Sequence, residues 1–274
     1  MGLRINTNVE AINVHNNLSI TNSRVAESLK RLSSGRRINS AKDDASGLAV
    51  ANNFRAKISA MRVASQNAAE ANSMLQTADG AYSKVTDILI RMRDLATQAA
   101  SSQTEEREKL NTEFQALKEE ITRIGSSTKY GNMTLTGDSL TYTFQVGAGT
   151  SSGIDTLTVS FSAVTAGALG LGDTIAVGGM ASASAALTAI DGALTSVNTF
   201  MANIGAYQNR LQYTMENLAI SIENLSASES AIRDVDMAWE MTVFTKNQIL
   251  QQTGIAMLAQ ANQAPQQIMQ LIGG

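Results

Sequence analysis

The chain of 274 residues has no cysteine, a single proline, a single histidine, and only 4% aromatic residues. Without cysteine there are no disulfides, no thiolate metal sites and no thiol nucleophile, so stability outside the cell must come from packing or assembly. His15 lies alone in an Asn-rich amphipathic stretch, which leaves enzyme chemistry without its usual group titrating near neutral pH. No catalytic residues, cofactor or metal are expected, and the chain reads as a non-enzyme. The lone Pro265 suits a chain of long uninterrupted helices. No apolar run approaches the ~18 residues of a membrane span, and the opening Met1-Gly2-Leu3-Arg4-Ile5-Asn6 lacks the core of a signal peptide. The expectation is a protein that stays in the cytoplasm or leaves by a route needing no cleavable signal, without membrane insertion.

Charge is equally uninformative about polyanionic partners. A net charge of -3 with scattered signs gives no reason to expect nucleic acid. The basic cluster Lys30, Arg31, Arg36 and Arg37 reads as a solvated face. Asp43-Asp44 and Asp234-Val235-Asp236 lack metal-loop spacing and are expected to be solvated, to cap helices or to pair with Arg37, Lys42 and Arg233.

What the chain does have is heptad patterning. One register runs Leu187, Ile190, Leu194, Val197, Met201, Ile204, Gln208, Leu211, Met215, Leu218, Ile222, Leu225, Glu229, Ile232, interrupted only by Gln208 and Glu229. A second runs Met61, Ala64, Ala68, Ala71, Leu75, Ala78, Tyr82, Val85, Leu89, Met92, Ala96, Ala99, and a shorter third Leu110, Phe114, Leu117, Ile121, Ile124. Such a narrow stripe can be covered only by another helix, so these segments pack side by side. At ~1.5 Å per residue the helix from about Ser182 to Ile232 would span roughly 75 Å, which predicts a long rod and a scaffolding role. Half of the second register is alanine, which allows close approach to the large residues of the first. Ser102 with Glu105 reads as a capping box, and Gly125 as a helix stop.

The middle zone is different. Leu140, Tyr142, Phe144 and Val146 alternate with Thr141, Thr143 and Gln145, and Leu157, Val159 and Phe161 with Thr158, Ser160 and Ser162. With Gly147 to Gly153 between them, these segments predict a β-hairpin with a long loop. Deleting residues 135–176 is expected to cost the helical part little. At the ends, residues 247–274 carry no charge but many Gln and Asn, and residues 1–23 carry only Arg4 and Glu10 as fixed charges. Helices with a neutral amide face and an Ile, Leu and Met face suit burial against copies of themselves better than exposure to water.

The run Leu32-Ser33-Ser34-Gly35-Arg36-Arg37-Ile38-Asn39-Ser40-Ala41-Lys42-Asp43-Asp44-Ala45-Ser46-Gly47-Leu48-Ala49 closely resembles bacterial flagellin. So do Ile232-Arg233-Asp234-Val235-Asp236-Met237-Ala238, Phe244-Thr245-Lys246, the ending Ala256-Met257-Leu258-Ala259-Gln260-Ala261-Asn262-Gln263 and the opening Arg4-Ile5-Asn6-Thr7-Asn8. Arg36 and Trp239 depart from that pattern. The similarity covers roughly residues 1–131 and 182–274.

The resemblance implies a mainly α fold: a long antiparallel coiled-coil rod with paired terminal helices and a small insert containing a β-hairpin. Residues 1–45 and 233–274 would form the inner filament core, 46–131 and 182–232 the helical rod, and 132–181 a variable, surface-exposed β-rich segment. It further implies a secreted, self-assembling subunit of the extracellular flagellar filament. That subunit would leave through the flagellar type III secretion channel, with an export chaperone and the filament cap and hook-junction proteins as partners. Ile249, Leu250, Met257, Leu258, Ile268 and Leu271 are expected in the inner tube. By position, Arg91 and Leu95, with Glu113 as a third, match the region contacted by the innate immune receptor for flagellin; Arg91 and Leu95 fall off the seam and are expected to be exposed. The alternatives are a hook-filament junction protein of the same superfamily, an enzyme such as a protease in the middle zone, or an unrelated coiled-coil scaffold.

Overall fold

A computed structural model describes the backbone of residues 8–101 and 104–272, and the side chains of that range except those of 104, 105 and 264–272. The order of elements is α1 (Val9–Ser34), α2 (Ala45–Ser101), α3 (Thr104–Ser127), β1 (Lys129–Tyr130), β2 (Met133–Thr134), β3 (Leu140–Gln145), β4 (Thr156–Phe161), α4 (Met180–Arg233) and α5 (Met237–Ile272). The chain forms two compact units. Residues up to Ala56 and from Asn224 make one, and Lys57–Glu223 the other, so the boundary falls inside α2 and inside α4.

In the central unit the heptad seams are the core. Ala68, Leu75, Tyr82, Val85, Leu89 and Met92 of α2, Phe114 and Ile121 of α3, and Ile190, Val197, Ile204 and Leu211 of α4 are buried in one cluster. Cross-helix pairs fix the directions. Tyr82 meets Phe200 with ring centroids 6.0 Å apart, Thr86 Oγ1 lies 3.9 Å from Met201 Sδ, and Arg93 pairs with Asp191 at 2.9 Å, so α2 and α4 run antiparallel. Helix α3 folds back on α2, with Arg91 on Glu113 at 2.8 Å and Arg107 Nε donating to Ala99 O at 3.0 Å.

The buried stripe of α2 is wider than two-helix packing requires. Met74 and Leu95 lie outside the heptad register yet are buried. Leu95, expected to be exposed, is fully buried in the central cluster, and α3 bonds to α2 on either side of it through Arg91–Glu113 and Arg107–Ala99. An a/d stripe measures only what one partner helix covers.

The hairpin forms as its alternation dictates. β3 and β4 are antiparallel with Leu140 opposite Phe161 and Gln145 opposite Thr156, and Leu157, Val159 and Phe161 point inward. A second, two-residue pairing of β1 with β2 was not legible from the sequence. The insert is bound into the central core: Leu135, Val146, Val164, Leu169, Leu171 and Val177 join its cluster. Tyr82 Oη donates to Ser162 O at 2.9 Å and accepts from Ser162 N at 3.2 Å, while Lys118, itself buried, donates to Gly172 O at 3.3 Å. These contacts argue against the expectation that deleting residues 135–176 costs the helical part little, since Leu135, Leu157, Val159, Phe161 and Leu171 lie in the unit's apolar core.

Gly125 is not a helix stop. Helix α3 continues to Ser127, and a Cβ at Gly125 would sit 3.3 Å from the backbone of Val164 and Thr165. Glycine eases the close approach of the insert there, whose Thr136 Oγ1 donates to Gly125 O at 2.9 Å. The expected capping box cannot be followed, because Ser102 and the side chain of Glu105 lie outside the described residues.

Candidate assembly surface

The terminal unit is built on α1 and α5, which pair along their lengths. On α1 the less exposed positions are Ala11, Val14, Leu18, Thr21, Val25, Ser28 and Leu32, again spaced three and four apart. On α5 they include Glu240, Asn247, Gln251, Gly254, Leu258 and Ala261. Asn8 Nδ2 donates to Ala261 O at 2.7 Å, a Cβ at Gly254 would lie 3.2 Å from Leu18 Cδ1, and Arg31 Nη1 is 3.8 Å from Glu240 Oε2. The pair is therefore antiparallel. Its seam is partly polar, with Ser28, Glu240 and Asn247 buried. Spacing on α5 alone does not separate seam positions such as Asn247 and Gln251 from its amide face.

The two long sequence motifs meet at the base of this pair. Gly35, in the left-handed region at φ 67°, ends α1, and its carbonyl accepts from Val235 N at 3.1 Å. Arg37 N donates to Arg233 O at 2.7 Å, and Arg37 Nη2 to Ile232 O at 2.7 Å. Arg36 and Asp234 form an isolated antiparallel bridge. In the basic cluster Lys30 and Arg37 are exposed, as expected of a solvated face, while Arg31 is half-buried and Arg37 also bonds within the unit. Arg31 also reaches Glu27 at 2.6 Å, and Arg37 closes the clip between the motifs.

One aspartate of each acidic pair caps a helix. Asp44 Oδ1 accepts from Gly47 N at 2.9 Å to start α2, and Asp236 Oδ1 accepts from Ala238 N and Trp239 N at 2.9 and 3.1 Å to start α5. Asp43 accepts from the backbone of Asn39 and Ser40, which holds its carboxyl below the usual range, with Lys30 at 4.0 Å adding to this. Among the described residues no three His, Cys, Asp or Glu side chains gather as metal ligands, and no helix is long and apolar enough to cross a membrane.

The outward faces carry the apolar surface. On α5, Ile249, Leu250 and Met257 are 58%, 45% and 55% exposed, and on α1 Val9, Ile12 and Ile20 are each about half exposed. Leu258 instead is half-buried at a position of the α1 seam, and the side chains of Ile268 and Leu271 lie outside the described residues. Of the three residues expected at a receptor contact, Arg91 and Glu113 form an exposed ion pair, and Leu95 is buried.

Residues 5–140 match the bacterial flagellin N-terminal helical region, and residues 187–272 the bacterial flagellin C-terminal helical region. A flagellin of Halalkalibacterium halodurans is 43% identical over 98% of this chain and 99% of its own length. A flagellin of Bacillus subtilis is 39% identical over 98% of this chain and all of its own. Among solved structures, a protein from Vibrio parahaemolyticus described as a putative flagellar hook-associated protein covers 70% of this chain and all of its own with a TM-score of 0.59; at 17% identity it shares the fold. The motifs that clip the terminal unit together, the two regions matched and relatives similar over their whole length lead to one assignment: the chain belongs to the bacterial flagellin family.

Proposed function

We propose that this chain is a structural subunit that self-assembles into the bacterial flagellar filament and serves swimming motility. The observation that carries the mechanism is the outward apolar face of a helix that has no charged residue after Lys246. Exposed Ile249, Leu250 and Met257 lose water contact only when another copy covers them, and burial of that area drives association. In this reading residues 1–45 and 233–274 form the inner filament core, 46–131 and 182–232 a surrounding layer, and 132–181 the outward segment. The subunit performs no catalysis. It leaves through the flagellar secretion channel with an export chaperone and adds beneath the filament cap, beyond the hook-junction proteins. An innate immune receptor would meet the exposed Arg91 and Glu113 pair, whereas Leu95 is buried.

The test compares Leu250→Asp with Ile154→Lys. A charge at Leu250 would be buried without a partner in every copy, whereas Ile154 is 82% exposed on the hairpin loop. Asp155 is unsuitable as a control because its carboxylate accepts from Gly149 N and Ser151 N and so holds that loop. Sedimentation and negative-stain microscopy should show filaments from Ile154→Lys and none from Leu250→Asp. Long filaments from Leu250→Asp would refute the assignment of this face.

A further inference from the structure

Trp239 is the only tryptophan of the chain and is 68% exposed. A large ring with so much surface in water is unusual for a protein packed only within itself. Its place on the helix is informative. Trp239 precedes Leu250 by eleven residues and Leu250 precedes Met257 by seven, close to three and two full turns, so the three side chains fall in line along one flank of α5. The flank lies to the side of the seam facing α1, whose nearest member here, Glu240, is buried. Trp239 N is also held by the Asp236 cap, so its backbone is fixed before any partner arrives. An aromatic anchor on a pinned backbone loses little freedom on association.

We infer, resting on the filament reading, that Trp239 is a contact residue between copies of this chain and extends the assembly stripe of Leu250 and Met257 to the start of α5. The occupant is the terminal helix pair of a second copy. Most of the large exposed apolar side chains among the described residues lie on the terminal unit, and Val9, Ile12 and Ile20 of α1 offer an apolar face to meet the ring. The stripe is continuous with the surface assigned to assembly, and from Asn247 to Gln263 the sequence of α5 has no charged residue, which matches another such face better than a charged partner.

With one tryptophan, intrinsic fluorescence reads this position alone, and no variant is required. Acrylamide quenching of Trp239 should fall several-fold from monomer to polymer, with a blue-shifted emission. To identify what covers it, Trp239→Cys, the only thiol in that variant, is labelled with a maleimide-benzophenone and irradiated. Product at twice the chain mass from the polymer, absent from the dilute monomer, is expected. Trp239→Ala should raise the concentration needed for polymerisation about tenfold or more, and Trp239→Phe should recover most of the loss. Filaments in which Trp239 stays as quenchable as in the monomer, or in which only intrachain cross-links form, would overturn this inference alone. Failure of the unmodified protein to form filaments would overturn the filament reading and this inference with it.

Discussion

Tyr82→Phe isolates the tie between α2 and the insert. The phenol is buried at 1% exposure, and its oxygen both donates to and accepts from the backbone of Ser162. The phenylalanine ring can keep the packing against Phe200 and removes only the oxygen. Ser162 N and O then lose their partner, and leaving a poorly hydrated donor and acceptor unpaired costs about 1–3 kcal/mol. Urea unfolding followed by circular dichroism at pH 8 should show that loss as a lower midpoint with unchanged slope.

Alkaline pH gives an independent check. Burial pushes the Tyr82 phenol up to about 12, with the Ser162 hydrogen bond acting the other way. A tyrosine in the unfolded chain ionises near 10, so the stabilising effect of this group is fully present below about pH 10 and is lost as pH rises through about 12. The difference corresponds to roughly 2–3 kcal/mol. Wild type should therefore lose stability between pH 10 and 12 faster than Tyr82→Phe, so that the two converge. A Tyr82→Phe midpoint equal to wild type at pH 8, together with parallel alkaline profiles, would refute the claim that this contact holds the insert in the core.

Leu211→Ala empties a fully buried position of the α4 seam and should cost about 2–5 kcal/mol in thermal or urea unfolding. Deleting residues 135–176 should unfold the central unit rather than trim it, because Leu157, Val159, Phe161 and Leu171 leave its core; a near-native melting transition of that variant would show the helices to be self-sufficient. Gly35→Ala places a Cβ on a residue at φ 67° with open space around it, so the cost should be the backbone term of about 1 kcal/mol, read as a lower melting temperature of the terminal unit. No change, or a loss several times larger, would mean that the clip does not depend on that conformation.

Elements whose signal is periodic were legible in the amino-acid order alone. The 3-and-4 spacing from Met61 to Ala99 and from Leu187 to Ile232 marks residues that are buried or half-buried in the structure, and the alternation of Leu157, Val159 and Phe161 marks an inward strand face. These patterns are local, because a helix or strand must turn its own apolar stripe inward whatever the partner is. The motifs at Leu32 to Ala49 and at Ile232 to Lys246 likewise identified the family before any geometry. How many partners each stripe has emerges only once the chain is folded. Leu95 is buried because α2 is covered on more than one side, Gly125 is inside a helix because the insert approaches there, and Glu240 sits in a seam because α1 runs antiparallel to α5. Each of these depends on residues far away in the chain, and spacing within one element carries no record of how many distant neighbours it meets.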